Sequence, residues 1–108
     1  MRIVAGEVKN HKIKSQKGHM VRPTLERVKE SLFGIVNPYI DNAVFLDLFS
    51  GTGNIALEAL SRGAKRAVMI EHNEEAVKVI IENVNNLGLE DRCRAYRNDV
   101  FRAIESIV

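Results

Sequence analysis

One hundred and eight residues, 45% hydrophobic and 28% charged, make one domain at most, and no apolar run approaches the roughly 18 residues that a membrane-spanning helix needs. A lone cysteine, Cys93, excludes an intramolecular disulfide framework, and the opening MRIVAGEVKN lacks the apolar stretch of a secretory signal, so a cytoplasmic location is expected. The net charge of +2 hides an asymmetry: residues 1–22 carry Arg2, Lys9, Lys12, Lys14, Lys17 and Arg22 against Glu7 alone, while the rest of the chain is net acidic.

Such a basic arm, with His11 and His19 interleaved, can neutralise phosphates and steer a polyanion toward the domain; it can equally be a solvated terminus, and charge alone leaves both open. Within the arm, Arg2 to Ala5 and Lys12 to Ser15 read as short strands of a hairpin around Gly6 and Asn10. At residues 22–24, Arg-Pro-Thr, the proline fixes the entry to a helix that Thr24 can cap. The apolar positions Leu25, Val28, Leu32, Ile35 and Val36 fall on one face, and Asn37-Pro38 is expected to stop the helix.

From Val44 the period changes. Val44 to Phe49 is nearly continuous in apolar residues, which predicts a strand covered on both faces, and Gly51 to Gly53 turn it into a helix through about Arg62, closed by Gly63. Residues 67–70 predict a second buried strand ending at Glu71. Asn73 then caps a helix with Glu74 and Glu75 in its first turn and Ala76, Val77, Ile80, Ile81, Val84 and Leu87 on its apolar face; Gly88 ends it. A third strand over about Cys93 to Arg97 leads to Asp99, at the N-cap of a last helix from Val100 to Ile107. Strand and helix in this alternation predict a Rossmann-like α/β unit of three parallel strands, residues 23–108, behind a basic arm, residues 1–22. Ligands of such a unit bind beyond the carboxyl ends of the strands.

Three acids stand at those ends: Asp47, Glu71 and Asp99. GTGNIA (residues 51–56) satisfies a G-x-G-x-x-A turn, and Glu71 is suitably spaced to hold a ribose diol, so a dinucleotide-dependent oxidoreductase is one reading. Asp47 weighs against it, because a carboxylate ~4 Å from a pyrophosphate costs on the order of 4 kcal/mol at an effective dielectric of ~20. S-adenosylmethionine brings an ammonium and a sulfonium instead, which a carboxylate attracts. Plainer roles stand beside these: Asp99 as a helix cap, Glu71 as a solvated loop acid, His72 as a loop residue or a wall of the adenosine site, Tyr39 and Tyr96 as packing residues, Cys93 as a small buried residue. No Cys/His cluster supports a metal.

MRIVAGEVKN, RPTLERVKESLFGIV, FLDLFSGTGNIALEALSRGA, IEHNEEAVKVIIENV and NDVF together resemble the RsmD-like RNA methyltransferases, which methylate the exocyclic amine of a guanine in small-subunit ribosomal RNA. The resemblance covers essentially the whole chain and implies a Rossmann-like methyltransferase fold with S-adenosylmethionine across the strand ends. By that resemblance Arg22, Thr24, Asp47, Phe49, Gly51, Gly53, Glu71, His72, Asp99 and Val100 are cofactor-site positions, and Arg2, Lys9, Lys12, Lys14 and Lys17 face ribosomal RNA or an assembling small subunit. The family's catalytic motif, Asn or Asp followed by Pro-Pro-Tyr, holds the flipped-out guanine. Here Pro23 and Pro38 are the only prolines, so the chain is expected to be the cofactor-binding portion, with no catalytic residue and with its first strand exposed for self-association. The alternative is a non-catalytic module that binds RNA and cofactor.

Overall fold

The computed structural model describes residues 1–15, 23–48 and 50–107. Among the described residues seven elements follow one another: α1 (Pro23–Ile40), β1 (Val44–Asp47), α2 (Asn54–Ser61), β2 (Arg66–Glu71), α3 (Glu74–Leu87), β3 (Cys93–Arg97) and α4 (Val100–Ile107). The strands form one parallel sheet in the order β1-β2-β3, with Asp47 opposite Met69 and Glu71 opposite Arg97. This register lines up the carboxyl ends of all three strands on one rim.

Local signals explain most boundaries. Gly53 precedes α2 at φ +84°, Asn73 accepts the Ala76 N–H at 3.0 Å to cap α3, and Gly88 closes α3 in the left-handed region. The expected stop at Asn37-Pro38 is wrong: α1 continues to Ile40. A proline so near the carboxyl end forfeits one hydrogen bond, and the burial of Ile40 in the core outweighs it. Asn42, at φ +60°, takes the left-handed position beyond the helix, and its N–H donates to the Gly63 carbonyl at 2.8 Å. Nor does Thr24 sit at the cap, since α1 already begins at Pro23, the residue type that suits a first helical position.

Helix α1 also presents a different face from the one its apolar pattern predicts. Lys29, Phe33 and Ile40 are buried and Val36 is half-buried, while Val28, Leu32, Ile35 and Tyr39 are exposed. The buried face is set by polar partners. Lys29 Nζ lies 2.8 Å from the Glu58 carboxylate of α2, and the Arg62 guanidinium, itself paired with Glu58 at 2.8 Å, sits 4.7 Å above the Phe33 ring. Lys29 also donates to the Arg2 carbonyl and to Asn54 Oδ1, both at 2.8 Å.

The same cluster decides the form of the arm. Ile3 and Ile13 are buried in the main core beside Leu57, Leu60 and Ile80. The two limbs meet in one antiparallel bridge, Arg2 to Lys12, instead of two strands. Side chains of the helices bond the arm's backbone on either side of that bridge: the Val4 and Ala5 N–H groups donate to Glu58 at 2.8 and 3.1 Å, and both the N–H and the carbonyl of Lys14 bond the Asn83 amide. At the turn, Gly6 adopts φ +91° with Ser61 O only 1.9 Å from where a Cβ would sit, so the arm rests directly on the end of α2.

β1 is an edge strand, not one covered on both faces: Val44 and Leu46 are exposed. Tyr39 and Tyr96, expected to pack, are 78% and 51% exposed. Among the described residues no helix is long and apolar enough to cross a membrane.

Candidate functional site

The rim at the strand ends begins with the glycine loop. Ser50 ties it to both flanking strands, its N–H donating to the Ile70 carbonyl at 3.2 Å and its hydroxyl to the Asp47 carbonyl at 3.1 Å. Gly53 N–H donates back to Ser50 O at 2.8 Å. The two glycines serve different purposes. A Cβ on Gly53 would press on Met69 Sδ at 3.3 Å and Leu57 Cδ1 at 3.4 Å, so this glycine lets the loop pack on the core. Gly51, at φ +55°, has no atom within 4 Å of such a Cβ; its outer side is open space, available to a ligand.

Glu71 holds this loop in place. One carboxylate oxygen accepts the Gly51 N–H at 3.0 Å, the other accepts the Asn73 N–H at 2.9 Å, and the side chain is 10% exposed. Each oxygen keeps a lone-pair direction for a further donor. His72 lies beside it, Nδ1 3.4 Å from Glu71 Oε2, with its ring largely in solvent. Asp99 caps α4, Oδ1 accepting from the Phe101 and Arg102 N–H groups at 2.9 and 3.2 Å, while Asn98 Oδ1 accepts the Asp99 N–H.

Between these groups lies a cleft of about 240 Å³ lined by Leu48, Glu71, His72 and residues 98–101. The fold therefore brings Glu71, His72, Asp99 and Val100 into one wall. Asp47, half-buried at the end of β1, stands at the glycine-loop side and is not part of that lining. Arg22 and Phe49 fall outside the described residues, as do Lys17 and the side chain of Thr24. Phe101, exposed at the cleft, was missed by sequence reasoning; its only signal is a large apolar residue in the first turn after the Asp99 cap.

The donor set discriminates between ligands. Two carboxylates line the cleft, with no Lys or Arg among its described lining residues, and the glycine loop leaves open space against backbone. Among the described lining residues an anionic pyrophosphate meets no cationic side chain of Lys or Arg, whereas adenosine, with hydroxyl and amine donors, meets acceptors. Among the described residues no group of three or more His, Cys, Asp or Glu is placed to hold a metal ion. Burial pushes the Cys93 thiol up to about 11, away from the reactive thiolate, and Sγ donates to the Leu89 carbonyl at 3.3 Å.

Of the basic arm, Arg2, Lys9, Lys12 and Lys14 are exposed, and Lys14 pairs with Glu82 at 2.8 Å. Lys29, Glu58 and Asn83 were not foreseen. Each occupies a buried helical face that the sequence marks as apolar only by its neighbours.

The model of the family described as conserved hypothetical protein 95 matches residues 1–108. The YlbH protein of Bacillus subtilis is 37% identical over 106 residues, which cover 98% of this chain and 58% of its own length. Ribosomal RNA small subunit methyltransferase D of Escherichia coli is 38% identical over 87 residues, 81% of this chain and 44% of its length. Among solved structures, the yhhF protein of Escherichia coli has a TM-score of 0.84 at 30% identity, over 95% of this chain and 55% of that one. The chain thus spans about half the length of the curated relatives it matches. Its parallel sheet and flanking helices are a Rossmann-like methyltransferase fold, and, matched from Met1 to Val108, the chain belongs to the conserved hypothetical protein 95 family of RsmD-like proteins.

Proposed function

We propose that this chain is the S-adenosylmethionine-binding part of a cytoplasmic methyltransferase that modifies the exocyclic amine of a guanine in small-subunit ribosomal RNA. One observation carries the reading: Glu71 spans the glycine loop and the start of α3 at the head of a cleft whose charged lining is carboxylate. The residues fit the cofactor. Glu71 accepts from the ribose hydroxyls, Asp99 from the adenine amine, Asp47 attracts the cationic methionine end, and the open side of Gly51 admits the ligand against backbone. Bound there, S-adenosylmethionine supplies a methyl group activated by its sulfonium. The protein's part is placement, which contributes most of the rate in a displacement of this kind. Pro23 and Pro38 are the only prolines, so no residue here is assigned the guanine-holding role of the Pro-Pro-Tyr motif.

Calorimetry tests the cofactor. S-adenosylhomocysteine is expected to bind, about tenfold more weakly in Asp47→Ala for the loss of one charge contact, and NADH is expected not to bind. NADH binding without S-adenosylhomocysteine binding overturns the reading in favour of an oxidoreductase.

For the RNA partner, replacing Lys9, Lys12, Lys14 and Lys17 by alanine is expected to weaken RNA binding and to flatten its log-log salt dependence by roughly 0.7 to 0.9 per lost phosphate contact. Because Lys14 is already paired with Glu82, its share should be smaller than that of Lys9 or Lys12. An unchanged salt slope would assign the arm a structural role only.

The exposed β1 edge, with Val44 and Leu46 uncovered, makes a polypeptide of residues 1–108 prone to pair with a second copy. Sedimentation should show association, reduced by Leu46→Lys; a monomer at all concentrations would count against it.

A further inference from the structure

Asn83 lies on the face of α3 that otherwise buries Ala76, Ile80, Val84 and Leu87, and it is itself 1% exposed. A buried amide is tolerated when its hydrogen-bonding capacity is used, and here it is. Oδ1 accepts the Lys14 N–H at 2.7 Å, and Nδ2 donates one hydrogen to the Lys14 carbonyl and the other to the Thr52 carbonyl, each at 3.0 Å. Toward Lys14 the amide acts as a neighbouring strand would, engaging both backbone groups of one residue. Its remaining hydrogen reaches the middle of the glycine loop, between Gly51 and Gly53.

We propose that Asn83 is a positioning residue for the cofactor loop, fixing the Thr52 peptide, and through it the Gly51 N–H and the Gly53 turn, while using the anchored arm at Lys14 as its fixed point. The inference rests on the cofactor reading above. The loop is held at two places by side chains from different elements: Glu71 grips Gly51 N–H from the ligand side, and Asn83 grips Thr52 carbonyl from beneath. With Asn83 lost, Glu71 and the Ser50 bonds still hold the first half of the loop, but the Thr52 carbonyl loses the side chain that orients its peptide. The side chain's chemistry is specific. Aspartate of the same shape keeps the acceptor but sets a carboxylate against two carbonyl oxygens; leucine leaves Lys14 N–H and both carbonyls without the amide.

The test compares Asn83→Asp with Ser61→Ala. Ser61 attaches the arm elsewhere, accepting the Val8 N–H at 3.1 Å and donating to the Ala5 carbonyl at 2.6 Å, with no bond to the loop. Asn83→Asp is expected to bind S-adenosylhomocysteine about tenfold more weakly, as the loss of buried hydrogen bonds implies, and to exchange the Gly51 and Gly53 amides faster with Val68 and Ile70 unchanged. Ser61→Ala should leave both readouts near wild type. Asn83→Asp that keeps wild-type affinity and loop exchange, or Ser61→Ala that moves both equally, overturns the proposal. Should Asn83→Asp not fold, the wild-type protein decides: S-adenosylhomocysteine should shift the Asn83 side-chain amide and Lys14 N–H resonances but not those of Ala5 and Val8, and the reverse pattern refutes a positioning role. A wild-type protein that binds no S-adenosylhomocysteine overturns the proposed function itself.

Discussion

Glu58→Ala is expected to destabilise the protein by about 3–5 kcal/mol, lowering the melting temperature by roughly 15 °C or more. Glu58 is fully buried and accepts four hydrogen bonds, from Lys29, Arg62, Val4 N–H and Ala5 N–H. Alanine leaves the Lys29 ammonium, 1% exposed, with carbonyl acceptors but no counter-charge, and releases two backbone N–H groups of the arm. The cost comes mainly from the orphaned charge, so the double variant Lys29→Met/Glu58→Leu should be markedly more stable than Glu58→Ala. Calorimetric unfolding of the set reads this directly; a Glu58→Ala protein within about 1 kcal/mol of wild type would sink the account.

The pH dependence has a definite sign. Burial by itself raises the Glu58 pKa, but hydrogen bonds from Lys29, Val4 N–H and Arg62 together outweigh it and hold the carboxyl below its ordinary 4.5. A depressed folded-state pKa contributes stability that is fully present above 4.5 and lost as pH falls through the folded value. Wild type should therefore lose melting temperature more steeply than Glu58→Gln on acidification below about 4.5.

Glu71→Ala is expected to weaken S-adenosylhomocysteine binding about a hundredfold, close to 2.7 kcal/mol. Two effects combine on the cofactor reading. The acceptor for the ribose hydroxyls disappears, and the Gly51 N–H loses the partner that orients the loop at 3.0 Å. Glu71→Gln keeps one carbonyl acceptor and should fall between alanine and wild type. Stability should change far less than in Glu58→Ala, because the released Gly51 and Asn73 N–H groups lie near solvent. An affinity loss below about threefold would remove Glu71 from the binding site, since one charge-assisted hydrogen bond alone exceeds it.

The sequence by itself determined the elements whose causes are local. Asn73 and Gly88 bound α3, Gly53 starts α2, and the alternation of apolar runs from Val44 onward specified three parallel strands with their acids on one rim. It also put Glu71 and Asp99 at one cleft, because a strand end in an α/β unit points to one crevice whatever the packing beneath. Only the tertiary structure decided what depends on partners distant in sequence. The face of α1 was misread because Lys29 counts as polar until Glu58 is placed 2.8 Å away, and Asn83 is invisible until Lys14 and Thr52 meet it. The arm's attachment follows from the same fact, since Glu58 and Asn83 bond backbone groups of Val4, Ala5 and Lys14 that no sequence pattern assigns to them. Periodicity reports which residues avoid water; it carries no information about a charge or an amide that is buried because another element, 29 or 69 residues away along the chain, satisfies it.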